Sequence, residues 1–442
     1  MKRIEGYEVV VVGGGPGGFG AAVTAARSGA RTVLIEREGC LGGGATTMFV
    51  HPFMSELTTP ASAGEPRKVC NAGVFRDVID RLAARGAAVP RAGGAPRFDD
   101  EAMKVVLDEL LTEAGADVFF HAALFGLRKR RGRLGAVHVA HNGGPLEVAG
   151  RVFIDATGDA LLAALAGCEV QVGDEQGLVM PMTLNFAVAG ADLDRLPSIG
   201  DLKALCAAGA ADDPPLLNTH LSCFSLMPNG QVHFNAIRIP GDTLDPLAVS
   251  RAEMEARRRV QNFVAWLRAK VPAFAACYLV KTGSHIGIRE SRRVVGDYVL
   301  TAGDFKRCAR FDDAIACTSY GIDKHLQQPN QTLHDRLPPG ECYQVPYRCL
   351  TPKGTTNLLV ASRSISADVL VHSSLRIMPP VMNIGEAAGY AAALALPRGD
   401  VRKVRIAALQ DRIRAGRGLL EPRSLADWPD HYAAKAQAEA RP

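Results

Sequence analysis

Cysteines in this chain never fall in a Cys-x-x-Cys pair, although ten are present. They are scattered singly, which excludes a redox pair of that type and leaves no metal-ligand spacing. Cys168, Cys206, Cys223, Cys277, Cys308, Cys317, Cys342 and Cys349 read mostly as small apolar residues in a reducing compartment. No apolar run approaches the roughly 20 residues of a membrane span. Strong charge of one sign is also missing: the net charge of +5 is mild for 442 residues. The densest basic run, Arg128-Lys-Arg-Arg131 with Arg133, sits on a hairpin-like turn and reads as solvated surface, so nucleic acid is not expected as a partner. The amino end, Met1-Lys-Arg before a short apolar run, does not read as a leader because that run is needed as a strand. A cytoplasmic protein is expected. Internal repeats are absent, and so is any second strand–GxGxxG–helix unit.

What is present is concentrated in the first forty residues. Tyr7-Glu-Val-Val-Val-Val12 runs into Gly13-Gly-Gly-Pro-Gly-Gly18, then a small-residue helix, then Thr32-Val-Leu-Ile-Glu36. This is a strand, a glycine turn, a helix and a second strand closed by an acid. Gly13 permits the tight turn, Gly15 lets the backbone approach a pyrophosphate, and Gly18 lets the helix sit close to the sheet. The helix N-terminus offers unpaired N–H groups and partial positive charge to phosphates. Glu36 is placed where a carboxylate accepts from ribose hydroxyls. The motif predicts a dinucleotide site and, alone, leaves NAD and FAD both open.

Further along, helices are expected at Val74–Arg85 and from Asp99 onward. Strands are expected at 117–121, 124–129, 136–140, 146–148 and 151–155. The pattern predicts a first dinucleotide-domain part over residues 1–170, with an irregular excursion at 46–94 near the ligand. A substrate or cap domain of mixed strands and helices follows over 171–345. The dinucleotide domain returns over 346–400, and a C-terminal helix and tail occupy 401–442.

Three further segments carry a resemblance: Glu36-Arg-Glu-Gly-Cys-Leu-Gly-Gly-Gly-Ala-Thr46, Asp155-Ala-Thr-Gly-Asp159, and Asn357–Asp368 with Ser374-Leu-Arg376 and Gly385-Glu-Ala-Ala-Gly389. A fourth is Gly287-Ile-Arg-Glu-Ser-Arg-Arg-Val-Val-Gly-Asp-Tyr298. By their order and spacing the chain resembles FAD-dependent oxidoreductases distantly related to the fumarate reductase and succinate dehydrogenase flavoproteins. The resemblance implies an α/β fold, a glutathione-reductase-like Rossmann FAD-binding domain with an inserted α+β substrate domain. It departs at Ser362-Arg363, where such proteins usually carry Gly-Arg. It also implies the FAD-holding set: Gly13, Gly15, Pro16, Gly18, Glu36, Arg37, Gly42, Gly43, Ala45, Thr46, Ala156, Thr157, Gly158, Asp159, Arg363, Asp368, Met382, Asn383 and Ile384. The lack of a second nucleotide unit and of a cysteine pair argues against pyridine-nucleotide–disulfide reductases. No mid-chain Asp-Gly motif of the aromatic hydroxylases is found, and two isolated tryptophans cannot form the WxWxIP of tryptophan halogenases.

Hydride transfer to a flavin needs a proton acceptor and cationic groups to hold the substrate. Candidates are His285, Arg289 and Arg292, which would share a face if their stretch were helical, and His372 with Arg376 after the last strand. The expected enzyme is a dehydrogenase or oxidase acting on a small polar metabolite bearing a carboxylate, carbonyl or alcohol. Oxygen, a quinone or another carrier, such as a partner protein, would reoxidise it. The alternatives are a reductase fed by a partner protein, or a flavin-binding subunit without chemistry. No metal is expected.

Overall fold

A computed structural model describes residues 1–54, 57–60, 62, 65, 67–89, 96–213, 215–328 and 331–425. The expected tail beyond Leu425, and parts of the expected excursion, lie outside them. Strand β1 (Val9–Val12) is four valines buried on both faces, as a central parallel strand requires. It turns through Gly13 into helix α1 (Pro16–Arg27) and returns as β2 (Thr32–Ile35). Helices α2 (Val74–Ala84) and α3 (Asp100–Ala114) follow. Asp99 caps α3 by accepting from the Glu101 and Ala102 amides at 2.9 Å each, and Gly115 closes it in the left-handed conformation, φ 80°. The chain then adds β3 (Asp117–Phe119), the antiparallel meander β4 (Ala123–Arg130), β5 (Arg133–Ala140) and β6 (Leu146–Ala149), and β7 (Val152–Asp155).

A second sheet comprises β8 (Met182–Ala189), β9 (Cys223–Leu226), β10 (Val232–Ile239) and, after helix α4 (Pro246–Lys270), β11 (Tyr278–Thr282). Its order is β9-β10-β8-β11, all antiparallel. Two short ribbons come next, built from β12 (Ala314–Thr318), β13 (Ile322–His325), β14 (Thr332–Asp335) and β15 (Tyr343–Pro346). Strand β16 (Leu358–Val360) returns to the first sheet and leads to α5 (Val369–Leu375) and α6 (Met378–Ala395). The first sheet is wholly parallel, ordered β16-β7-β1-β2-β3. This is a mixed α/β fold with β1 at the centre of the sheet.

Two apolar cores result. The larger lies around the parallel sheet and includes residues of the 294–350 stretch such as Leu300, Phe305 and Tyr343. The smaller, with Phe186, Phe234, Phe263 and Trp266 at its heart, draws on residues 182–286 and packs α4 against the antiparallel sheet.

The segment 285–292 is not a helix, so His285, Arg289 and Arg292 do not share a helical face. Gly287 donates to Thr183 O at 2.7 Å and accepts from Thr183 N at 3.0 Å, and Gly283 donates to Asn185 O at 2.9 Å. An extended chain laid on β8 satisfies these backbone groups, and that pairing outweighs the helical spacing of the charged residues. Among the described residues no helix is long and apolar enough to cross a membrane. Of the cysteines, Cys40, Cys223 and Cys308 are half-buried and the rest buried.

Candidate active site

The glycine turn is shaped by what cannot be there. Gly13 has φ +104°, and a Cβ on it would lie 2.4 Å from Ala156 O. On Gly18 a Cβ would fall against Gly13 O, and on Gly17 against Ala361 O. The helix and three strand ends therefore meet backbone to backbone. Gly15 is the exception: nothing lies within 4 Å of where its Cβ would be. It is the N-cap of α1, and no side chain caps the helix there. The first amides and the helix dipole are thus left facing open space, the requirement for a pyrophosphate. At the end of β2, Glu36 accepts from Gly14 N at 2.5 Å and Glu38 N at 2.9 Å, which fixes the carboxylate while leaving lone pairs for ribose hydroxyls.

This space is a cavity of about 700 Å³, within the ordinary range for cofactor sites. Of the expected FAD-holding residues, Gly13, Gly15, Pro16, Glu36, Arg37, Gly43, Ala156, Thr157, Gly158, Asp159 and Arg363 line it. Arg363 donates to Asp159 at 2.7 Å, and Ser291 donates to the same carboxylate at 2.6 Å. Burial alone would push the Asp159 carboxyl up, but the charge of Arg363, the Ser291 bond and the charge of Arg37 hold it below its usual value. The Arg363 Nε has no partner, a buried donor aimed from the cavity wall. A cradle open at Gly15, a fixed acid at Glu36 and a spare donor at Arg363 fit FAD.

The other expected residues shape the walls from behind. Gly18 and Gly42 make close approaches, and Thr46 donates to Leu41 O at 2.6 Å. Ala45 is buried in the larger core. Asp368 caps α5 through Val371 N at 2.8 Å and accepts from Ala302 N at 2.6 Å. Met382, Asn383 and Ile384 are buried within α6, with Asn383 donating to Ala72 O. The start of α6 reaches the cavity through Met378 and Val381.

The cavity wall also carries His285, Ile288, Arg292 and Arg376, with Arg292 3.5 Å from Asp159 O. His285 is half-buried, 3.8 Å from Glu38. His372 does not line the cavity. It is buried in α5, and burial followed by the charges of Arg293, Arg376 and Arg363 keeps its imidazole neutral, with Nδ1 unpartnered. Arg289 points away from the cavity into the seam between the cores, donating to Pro181 O at 2.8 Å and to the Thr183 hydroxyl. Nothing in the sequence pattern indicated the stretch from Thr243 to Ser250, whose Thr243, Leu244, Asp245, Pro246, Val249 and Ser250 also line the cavity. It is a surface turn and a helix start with no chemical motif. A more open recess of about 970 Å³ lies beside Asp80, Gln410 and Arg414, with no glycine cradle.

Among curated proteins, the digeranylgeranylglycerophospholipid reductase of Thermoplasma volcanium is 28% identical over 166 residues, 35% of this chain and 40% of that protein. The thiamine thiazole synthase of Aeropyrum pernix is 32% identical over 124 residues, 26% of this chain and 42% of that protein. The chain thus spans only about two fifths of the length of these relatives. Among solved structures, a geranylgeranyl bacteriochlorophyll reductase-like protein from Thermoplasma acidophilum covers 94% of this chain and 83% of its own, at 14% identity and TM-score 0.46. A flavin-dependent brominase covers 92% and 83%, at 12% identity and TM-score 0.47. The family profile described as FAD dependent oxidoreductase matches residues 8–413. The site geometry and that match agree: the chain belongs to the FAD dependent oxidoreductase family and is an FAD enzyme.

Proposed function

We propose that this enzyme transfers hydride between a carbon of a small, polar, anionic metabolite and N5 of FAD, with oxygen, a quinone or another carrier completing the cycle. The observation that supports this most is the continuity of one cavity. The dinucleotide cradle lines it, and so do His285, Arg292 and Arg376. When bound, FAD supplies the two-electron acceptor or donor. Arg376, on the cavity wall, holds and orients the substrate's anionic group, with Arg289 in the seam behind it, as guanidinium forks do for planar oxyanions. His285, on the cavity wall and half-exposed, takes or returns the substrate proton, whereas His372 is set back and neutral. The finer kinship with fumarate reductase and succinate dehydrogenase flavoproteins, and a glutathione-reductase-like arrangement, belong to the same proposal. The parallel pairing of Val152–Asp155 with the glycine strand, and of Leu358–Val360 with Phe153–Asp155 in turn, supports them.

The test is anaerobic flavin bleaching. A metabolite that bleaches the wild-type visible band should do so at least about 100-fold more slowly in Arg376→Gln and Arg289→Gln, a loss of roughly 3 kcal/mol in transition-state binding, with FAD content unchanged. Wild-type bleaching rates in both variants would overturn the assignment. Bleaching only by an added electron donor, never by a metabolite, would favour a partner-fed reductase.

A further inference from the structure

Arg289, Arg238 and Arg376 converge at the seam between the two cores. Thr183 on β8 and Arg238 on β10 are register partners, so their side chains stand on one face of the sheet, and Arg289 donates to that same Thr183 hydroxyl. Arg289 also reaches Asn235 on β10 at 3.5 Å. On its other side, Arg238 bonds His325 Nδ1 of β13 at 2.6 Å. Asp323, two residues back on the same strand, is 3.5 Å from Arg376. The connected path is thus Arg289–Thr183–Arg238–His325–Asp323–Arg376.

The charges along it do not balance. Arg238 and Arg289 are 8% and 9% exposed. Among the described residues neither forms an ion pair, and Asp323 is the one carboxylate paired with Arg376. Asp323 is further shared with His325 at 3.4 Å, His334 at 3.5 Å and the Tyr320 hydroxyl at 3.4 Å. Other acids nearby are taken: Glu290 by Arg293, and Asp174 by Lys324 at 2.9 Å. Burial, then the charges of Arg289, Arg376 and Arg238, keep His325 neutral, so it adds nothing to either side. Three guanidiniums against one carboxylate leave two positive charges, sunk where isolated charge is costly. The Nε atoms of Arg238 and Arg376 are buried without partners. Arg289 is pressed toward losing its charge by burial and then by Arg376 and Arg238, a strain that an anion would remove.

We infer that a doubly charged oxyanion, either a phosphate or sulfate monoester or two neighbouring carboxylates, is bound among Arg238, Arg289 and Arg376, and that it is the recognition handle of the substrate. Arg376 is the link: it lines the cofactor cavity and donates to Asp323 O of the cluster at 3.3 Å, so a molecule held by its dianion would extend toward that cavity. The handle's assignment to the substrate rests on the function proposed above; binding of the dianion itself does not.

The FAD-loaded protein is titrated calorimetrically at pH 8 and low ionic strength with sulfate, inorganic phosphate, malonate and acetate. At least one dianion should bind with a Kd at least tenfold below that of acetate. Preference for sulfate or phosphate points to a tetrahedral ester, and preference for malonate to paired carboxylates. Arg238→Met should weaken the preferred dianion at least tenfold. Without that dianion, its Tm should equal or exceed wild type, because an uncompensated buried charge is gone, and the dianion-induced rise in Tm should vanish. Should Arg238→Met not retain FAD, Arg289→Gln is read the same way for affinity. No dianion preference in the wild type, or undiminished affinity in the variant, overturns the assignment. Dianion binding in a protein that no metabolite reduces would uphold this site and refute the hydride-transfer reading.

Discussion

The dinucleotide cradle and the arginine cluster beside it are made of different material. The cradle is built from backbone: its shape depends on glycines whose missing side chains let α1, β7 and β16 touch. The arginine cluster proposed to bind substrate is built from side chains delivered by β8, β10, β13, the 285–292 segment and the end of α5, and of its three arginines Arg376 lines the cavity. A backbone-built site tolerates almost no added atom, yet is written in a few contiguous residues. A side-chain-built site can be retuned one residue at a time, but its parts are scattered along the chain. The cradle can therefore stay fixed on a cofactor while the arginine cluster changes its substrate.

The strongest way to break this comparison is Gly18→Ala. A methyl there collides with Gly13 O, and neither backbone can yield without moving the sheet. The expected cost is more than about 4 kcal/mol, read as loss of folded, FAD-loaded protein. A variant with near-native Tm and flavin content would show that the cradle is softer than the geometry implies.

Gly15→Ala should behave differently although it lies three residues away. Its φ is −67° and its Cβ meets no atom, so the apoprotein should keep its Tm to within a few degrees. The new methyl enters the space left for the pyrophosphate, so FAD affinity should fall at least about tenfold, measured by flavin fluorescence quenching. Unchanged affinity would mean that the cofactor's phosphates lie elsewhere.

A smaller effect tests whether charge at the cradle end serves structure rather than binding. Glu386, inside α6 behind the cradle, accepts from Val74 N at 3.2 Å and Asn383 Nδ2 at 3.0 Å. Burial raises its carboxyl to about 8. The unfolded chain releases this proton near pH ~4.3, so between there and about pH 8 the folded state holds more protons and stability declines as pH rises. Glu386→Gln should remove that slope, changing the Tm difference between pH 5 and pH 8 by about 4 °C. An unaltered slope, measured by calorimetry across that range, would assign the pH dependence to other groups.

Legibility followed the same division. The glycine motif, Glu36 and the Asp155–Asp159 turn announce themselves because backbone geometry requires particular residue types at fixed spacing. The strands at Val9–Val12, Thr32–Ile35 and Leu358–Val360 were equally plain, being short runs rich in valine, leucine and isoleucine and buried on both faces. Arg238 was hidden because one arginine in an alternating strand looks like any outward-facing position. The segment from His285 to Arg292 misled because the helical spacing of its charges says nothing of the backbone partner waiting on β8. His372 sits near the cavity in sequence but its helix turns it inward. Tertiary pairing, not local propensity, decides all three.

The contact between α1 and α6 has a consequence for how the protein is made. Thr24 donates to Glu386 O at 2.9 Å, and a Cβ on Gly385 would strike the backbone of Gly17. The helix that carries the nucleotide motif is therefore seated by residues more than 360 positions later. At about 5–20 residues per second, the ribosome delivers that partner only after roughly 20–70 s. Through that interval the valine strand and its small-residue helix lack their covering layer. The most recognisable part of the chain is thus among the first synthesised and the last secured, and nascent chains stalled before residue 378 should be avid clients of chaperones.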